Sequence, residues 1–174
     1  MLFGYGEKQV RNYNIFVILA FVIVIFLSFE NYALGKIKVV DGDSLEIGDD
    51  RIRIVNIDAP EYRQYCYGGD GDKYLCGQEA LDYLRSIIND KVYCKKMEKD
   101  RYERFLAECY LEDGTNIGAQ MVLNGWALSY GDAYKEEERI AKQKKKGIWQ
   151  GRFMRPELFR ALQREQKSHG NKKM

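Results

Sequence analysis

Three short segments alternate between apolar and polar side chains, which is the pattern of half-buried β-strands. They cover residues 36–40, 44–47 and 51–57, and turns rich in glycine and aspartate separate them. In the third segment Ile52 and Ile54 belong to one face, and Arg53 belongs to the other. The pattern therefore predicts three strands in a meander.

The next segment has a helical repeat instead. Its apolar residues recur at the spacing of one buried stripe: Ala80, Leu81, Leu84, Ile87 and Ile88. This spacing predicts the first helix over residues 77–89. Two more strands, over residues 91–98 and 105–111, are predicted to form a hairpin.

Two later helices complete the predicted elements. Asn116 is placed to cap a short helix that Gly125 ends, and a charged helix over residues 134–146 stops at Gly147. Together the elements predict an α+β, mainly β fold. We expect a small, partly closed five-stranded barrel with about three helices, preceded by an N-terminal hydrophobic helix.

That N-terminal helix is predicted from residues 15–29, which are uncharged and almost wholly apolar, with Lys8 and Arg11 ahead of them. The run lies between the length of a signal-peptide core and the roughly 20 residues of a membrane span, so a cleaved signal and an anchor both stay open. The poor cleavage site at residues 31–33 slightly favours the anchor. A buried core helix fits less well, because the run has no polar face. The basic residues predict that the rest of the chain is exported to the periplasmic or extracellular side.

The chain divides into three predicted parts. Residues 1–33 form the signal or anchor, residues 34–160 form one domain, and residues 161–174 form a basic, disordered tail. Residues 139–174 carry twelve basic and two acidic side chains. This stretch could follow a phosphate backbone, or it could simply be solvated.

Four cysteines are present, without a C-x-x-C pair or a nearby histidine, which disfavours zinc: Cys66, Cys76, Cys94 and Cys109. Cys94 and Cys109 are nearly symmetric about the turn at residues 100–103, so the hairpin would place them opposite each other at a distance that a disulfide can bridge. Cys66 and Cys76 flank a glycine-rich loop that a second disulfide could close. The alternative is four buried or free thiols.

Carboxylates and arginines are the best candidates for chemistry, since the single histidine, His169, lies in the tail. Asp43 lies in an Asp-Gly-Asp turn, and Asp58 and Glu61 follow the third strand, so a meander could bring them together. Oxygen ligands of this kind suit Ca²⁺ or Mg²⁺. Each motif alone is also a common turn or cap.

Two arginines strengthen this interpretation. Arg53 lies on the third strand and Arg104 lies just beyond the hairpin turn, so they are cations at the edges of two different strands. A guanidinium fork matches the geometry of phosphate. Each arginine alone could also belong to a surface ion pair.

Four motifs in order resemble the thermonuclease (staphylococcal nuclease-like) family: V-V-D-G-D-S-L, R-I-R-I-V-N-I-D-A-P-E, D-R-Y-E-R-F-L-A and N-G-W-A. The resemblance covers residues 36–149, and the cysteines are similar to those of the exported branch of that family. It implies an oligonucleotide-binding (OB) fold. It also implies a calcium-dependent endonuclease that hydrolyses DNA and RNA, single-stranded or locally melted, with low sequence specificity. We expect a monomer.

The resemblance also implies roles for individual residues. Asp43 and Asp58 are similar to the carboxylate ligands of Ca²⁺, and the backbone carbonyl of Ala59 is similar to a third ligand. Glu61 matches the glutamate that acts as general base on the attacking water.

Arg53 and Arg104 match the arginines that stabilise the phosphorane. Tyr102 and Tyr130 resemble residues that contact the nucleotide, although the spacing before Tyr130 is one residue shorter than in the family. The loop over residues 62–76 departs from the type member, so no lysine of that loop is carried over.

Two other functions compete with the nuclease. The chain could be a catalytically inactive OB-fold module that binds nucleic acid, or a membrane-tethered interaction domain that uses residues 15–29 as its anchor. The presence of all five catalytic residue types favours the enzyme. Trp126 could stack on a base, but a core position fits it better.

Overall fold

The structure, a computed structural model, describes residues 36–89 and 91–170. In this part of the chain the elements follow in the order β1 (Ile37–Asp41), β2 (Ser44–Ile47), β3 (Asp50–Ile54), β4 (Ile57–Asp58), β5 (Cys66–Tyr67), β6 (Lys73–Tyr74), α1 (Cys76–Ile87), β7 (Val92–Lys99), β8 (Phe105–Leu111), α2 (Ile117–Leu123), β9 (Leu128–Ser129), α3 (Lys135–Gln143), a 3₁₀ helix (Gly147–Gln150), β10 (Arg152–Phe153) and α4 (Pro156–Gly170).

The main sheet has five strands in the order β1-β2-β3-β8-β7. β1, β2 and β3 form the predicted antiparallel meander, and β7 and β8 form the predicted hairpin. β3 and β8 join the two parts by parallel pairing, with Arg53 beside Leu106. The α+β, mainly β class is confirmed, and so is the set of five strands.

The prediction of a barrel is wrong. Within the described residues β1 and β7 remain the two edges of the sheet and do not pair with each other. β1, a strand of five residues, pairs with β2 and packs against α1. Four α-helices are present in this part of the chain instead of about three, because residues 161–170, expected in the disordered tail, continue α4.

The core lies between the main sheet and the helices. Ile52 and Ile54 of β3 are buried, as are Leu81 and Leu84 on the predicted stripe of α1. Each such side chain contributes about 1.5–3 kcal/mol by leaving water. Trp126 packs against this core, so the structure supports the core position over a base-stacking one.

Both predicted disulfides are present. Cys94 and Cys109 face each other across the β7–β8 hairpin with a Cα–Cα distance of 4.1 Å. Cys66 and Cys76 also form a disulfide, with a Cα–Cα distance of 5.5 Å, and both belong to a smaller buried cluster. Cys66 also lies in β5, the central strand of a second, three-stranded sheet of order β10-β5-β6, which the sequence did not predict.

No helix among the described residues has the length and apolarity that a membrane span requires. The predicted signal or anchor over residues 1–33 lies outside the described residues, as do residues 171–174 of the predicted tail.

Candidate active site

Asp43 is buried beside the end of the first meander turn, with 3% of its surface exposed. Its Oδ1 accepts hydrogen bonds from the Ser44 hydroxyl, at 3.0 Å, and from the Arg53 guanidinium, and its Oδ2 accepts one from the Ala59 amide at 3.3 Å. A Cβ at Gly42 would lie 2.7 Å from the Cβ of Ala59, so this close approach requires glycine. The Asp-Gly-Asp turn therefore brings Asp43 against residue 59.

Burial raises the pKa of Asp43 to about 7, even though the Arg53 guanidinium opposes the shift. The neighbouring Asp41 raises this pKa further. A buried carboxylate is costly unless positive charge compensates it. Burial therefore disfavours the ionised form of Asp43, and nearby positive charge offsets that cost.

Asp58 is connected to Asp43 by Arg53, which forms an ion pair with each of them. β4 pairs with β9, which places Asp58 opposite Leu128 and leaves it 5% exposed. Arg53 forms its short ion pair with Asp43 through Nη1, and its Nη2 lies 3.6 Å from Asp58 Oδ1. The structure thus brings together two carboxylates and one of the two predicted arginines.

Arg104 approaches from the neighbouring strand, since it immediately precedes β8, which runs parallel to β3. Its guanidinium is held by Asp100 at 2.7 and 2.9 Å and lies 3.4 Å from the Ser44 hydroxyl. Burial alone would raise the pKa of Asp100, but hydrogen bonds from Arg104 and Tyr102 hold it below its ordinary value. Asp100 therefore stays ionised and orients Arg104, a role that the sequence analysis missed.

Glu61 lies at the edge of the site in the loop after β4, with 37% of its side chain exposed. A Cβ at Gly77, in the first turn of α1, would lie 1.8 Å from the Glu61 carbonyl oxygen, so only glycine fits there. The buried Gln64 accepts a hydrogen bond from the Glu61 amide and donates one of 2.7 Å to the Met154 carbonyl. These contacts fix the backbone of Glu61.

The side chain of Glu61 contacts an arginine that the sequence analysis did not single out. Arg160 Nη1 donates to Asp58 Oδ1 at 2.9 Å and to Glu61 Oε1 at 2.8 Å, and its Nη2 donates to Asp58 Oδ2 at 3.2 Å. Burial would lower the pKa of Arg160, but the hydrogen bonds to these carboxylates raise it above its ordinary value. No local pattern pointed to Arg160, since it is one of many basic residues near the C-terminus.

A cavity of about 410 Å³ opens over this cluster. Its lining includes Arg53, Asp58, Arg104, Arg160 and Tyr130. Tyr130 is 64% exposed. The cavity therefore gathers three guanidinium groups, the carboxylates of Asp58 and Asp100, and a predicted nucleotide-contacting tyrosine, whereas its lining does not include Asp43 or Glu61.

Tyr102 lies outside the lining of that cavity. It is 54% exposed, and the guanidinium carbons of Arg101 and Arg104 lie 4.9 and 5.5 Å from its ring centroid. A larger cavity, of about 950 Å³, is lined by Lys36, Lys38 and other residues near the start of β1. It contains none of the predicted site residues, so we place the site in the smaller cavity.

The donors at this site suit a hard cation. Among the described residues no group of three or more histidine, cysteine, aspartate and glutamate side chains lies close enough to hold a metal ion. Asp43 and Asp58 nevertheless provide two carboxylates, and Ca²⁺ commonly takes its remaining ligands from carbonyls and water. Two carboxylates completed by carbonyl and water ligands are a donor set of the kind that Ca²⁺ takes.

Comparison with known families links the site to one of them. The family profile described as "Staphylococcal nuclease homologue" matches residues 51–151. The matched range contains Arg53, Asp58, Glu61 and Arg104. Asp43 precedes it and Arg160 follows it.

Individual relatives agree with this match. An Escherichia coli O157:H7 protein named "Uncharacterized endonuclease" is 35% identical over 124 residues, which are 65% of this chain and 74% of that protein. Endonuclease YhcR of Bacillus subtilis (strain 168) is 33% identical over 132 residues, 64% of this chain and 11% of that protein. Succinoglycan biosynthesis protein ExoI of Rhizobium meliloti (strain 1021) is 30% identical over 128 residues, 67% of this chain and 64% of that protein. The chain thus spans less than two thirds of the last two relatives.

Proposed function

The chain belongs to the family of staphylococcal nuclease homologues, and on that premise we propose that it is a calcium-dependent endonuclease that hydrolyses phosphodiester bonds of DNA and RNA. One observation carries the proposal. The Arg53 guanidinium lies between Asp43 and Asp58 at a cavity that Arg104 also lines. The site thus combines oxygen ligands for a cation with fixed positive charge for a phosphate.

In this proposal Asp43, Asp58 and the backbone carbonyl of Ala59 hold Ca²⁺. When bound, the ion would polarise a phosphoryl oxygen and compensate developing negative charge. Asp43 supports this role because its burial leaves a demand for positive charge. Hydrogen bonds from Ser44 and Arg53 already fix the direction of its carboxylate.

Arg53 and Arg104 stabilise the extra charge of the five-coordinate phosphorane. Both guanidinium groups are held in advance, Arg53 by Asp43 and Arg104 by Asp100, so little reorganisation is needed when the charge develops. Glu61 takes the proton of the attacking water as general base. Its side chain lies at the edge of the site, with 37% of its surface exposed.

The substrate that we propose is single-stranded or locally melted nucleic acid. Tyr130 and Tyr102 are exposed and offer rings on which bases can stack. Tyr130 has the stronger support, because it lines the cavity and Tyr102 does not.

We further propose that the enzyme works outside the cytoplasm, as a monomer, either anchored through residues 15–29 or secreted. The two disulfides support export, because such bonds persist in oxidising compartments.

Cleavage of single-stranded DNA and RNA by the full-length chain, purified in detergent, tests the proposal. We expect cleavage with Ca²⁺, none with EDTA, and a rate roughly 10²- to 10³-fold lower for Glu61→Gln, by analogy with the removal of other transition-state contacts. Glu46→Gln is a matched control, since the side chain of Glu46 is also 37% exposed and pairs with Lys38 away from the site.

Two other outcomes contradict the proposal. Binding of the DNA without cleavage indicates an inactive nucleic-acid-binding module. Absence of both cleavage and binding favours a membrane-tethered interaction domain.

A further inference from the structure

Among the described residues, Arg160 is the one basic residue that contacts two proposed functional carboxylates from outside the family-matched range 51–151. It lies on α4, and one of its nitrogens is shared by Asp58 and Glu61. Both oxygens of Asp58 accept a hydrogen bond from it, at 2.9 and 3.2 Å. The same guanidinium thus engages the proposed metal ligand and the proposed general base.

This contact competes with the proposed chemistry. A two-pronged pair between a guanidinium and a carboxylate is among the stronger polar contacts in proteins. A divalent cation that coordinates Asp58 must therefore displace a hydrogen bond and approach another positive charge at short range. The Oε1 atom of Glu61 is likewise occupied by an N–H donor while Arg160 stays in place.

The helix that carries Arg160 is lightly attached beyond this contact. Pro156 is buried at its start, but every residue from 161 to 169 is exposed. Leu158 and Leu162 are 53% and 43% exposed, so they add little packing. A segment with so few buried contacts can open at low cost in free energy.

We propose that Arg160 is an autoinhibitory contact: its guanidinium occupies Asp58 and Glu61 and must leave before a divalent cation binds and before Glu61 is available to water. The inference rests on the proposed function, because it takes Asp58 as a metal ligand. It goes further in assigning a regulatory part to a residue beyond the nuclease homology range. Conditions that release α4 then raise the affinity for the cation.

Calcium binding measured by titration calorimetry tests this inference on the full-length chain in detergent. We expect Arg160→Gln to lower the Kd for Ca²⁺ at least tenfold, because it removes a competing charge. Arg160→Lys keeps the charge without the two-pronged contact and should give an intermediate value. Arg164→Gln is the matched control, because Arg164 lies one turn further along α4 and is exposed, and it should change the Kd less than twofold.

An unchanged or higher Kd for Arg160→Gln overturns the inference, since a contact that merely supports the site would weaken binding when lost. An equal decrease for Arg164→Gln also overturns it, because the effect would then be one of net charge. Arg160→Lys serves as the folded reference if Arg160→Gln loses its native circular dichroism spectrum.

Cleavage assays on the same samples separate this inference from the proposed function. Calcium-dependent cleavage with a Kd that does not respond to Arg160→Gln overturns the autoinhibitory role alone. Tighter binding in Arg160→Gln without any cleavage supports that role and contradicts the nuclease. Absence of calcium binding in all samples contradicts both.

Discussion

The two sides of the active site are built differently. On the sheet side, Asp43, Arg53 and Asp58 are placed by strand pairing, and their side chains are 5%, 22% and 8% exposed. On the loop side, Glu61 and Arg160 are placed by a loop and a terminal helix, and their side chains are 37% and 33% exposed. The charged side chains on the sheet side are therefore mostly buried, and those on the loop side are about one third exposed.

Burial changes what each ion pair contributes. Removing one partner of a buried pair leaves an uncompensated charge and is strongly destabilising. An exposed pair contributes about 0–1 kcal/mol, because solvent screens it. The comparison teaches that the contacts of Asp43, Arg53 and Asp58 can be rigid in this fold while the surroundings of Glu61 stay adjustable.

The largest expected effect is on the sheet side. Arg53→Gln leaves Asp43 buried without its guanidinium partner, so we expect a loss of about 3 kcal/mol in the free energy of unfolding. The cleavage rate should also fall roughly 10²- to 10³-fold, because a fixed charge at the phosphate is lost. Urea unfolding and initial rates with saturating Ca²⁺ measure the two effects.

Arg51→Gln is the control for this change. Arg51 lies on the same face of β3, but it is exposed and donates to the Tyr102 carbonyl at 3.3 Å. The Arg51→Gln change should lower the free energy of unfolding by less than about 1 kcal/mol. Equal losses from the two variants would mean that the buried cluster has no special role.

An effect of intermediate size on the cleavage rate is expected when the two disulfides are removed in turn. Replacing Cys66 and Cys76 by alanine should cost about 3 kcal/mol of stability, and the same replacement of Cys94 and Cys109 should cost a similar amount. Only the first pair holds the loop that follows Glu61, so only its loss should lower the rate, by roughly tenfold for a misplaced catalytic group.

Unfolding curves and rates of both double variants test this expectation under conditions in which each remains folded. A rate loss of the same size in both variants would show that the Cys66–Cys76 bridge does not position Glu61.

The smallest effect is expected at Gln64. Gln64→Ala removes its hydrogen bonds to the Glu61 amide and to the Met154 carbonyl, so it should cost about 1–3 kcal/mol by leaving buried groups unpaired. We expect the rate to fall severalfold. Gln150→Ala, at an exposed residue that donates to the Tyr74 hydroxyl at 3.3 Å, should change neither quantity measurably.

Local patterns predicted much of the fold. The bounds of β2 and β8 are as expected because alternation is a property of neighbouring residues. The Asn116 cap was also predicted, and its side chain accepts a hydrogen bond from the Ala119 amide. The Cys94–Cys109 bridge followed from symmetry about one turn.

Features that depend on distant contacts were not predicted. Whether the edge strands β1 and β7 pair is decided by contacts between residues far apart in the chain, which strand patterns do not reveal. The two-residue strands β5, β6 and β10 are too short for a periodic signal. Arg160 lies 102 residues from Asp58, and in sequence it resembles the other basic residues around it. The predicted roles of Asp43, Arg53, Asp58, Glu61 and Arg104 remain predictions that the proposed assays address.

The spacing of the contacts along the chain has a consequence for biosynthesis. Arg53 meets Asp43 across 10 residues, Arg104 reaches Ser44 across 60, and Arg160 reaches Asp58 across 102. A chain emerging from a ribosome or a translocation pore therefore completes the Arg53–Asp43 contact first, the Arg104–Ser44 contact later, and the Arg160–Asp58 contact last of the three. Proteolytic removal of α4 would reverse the last of these steps alone.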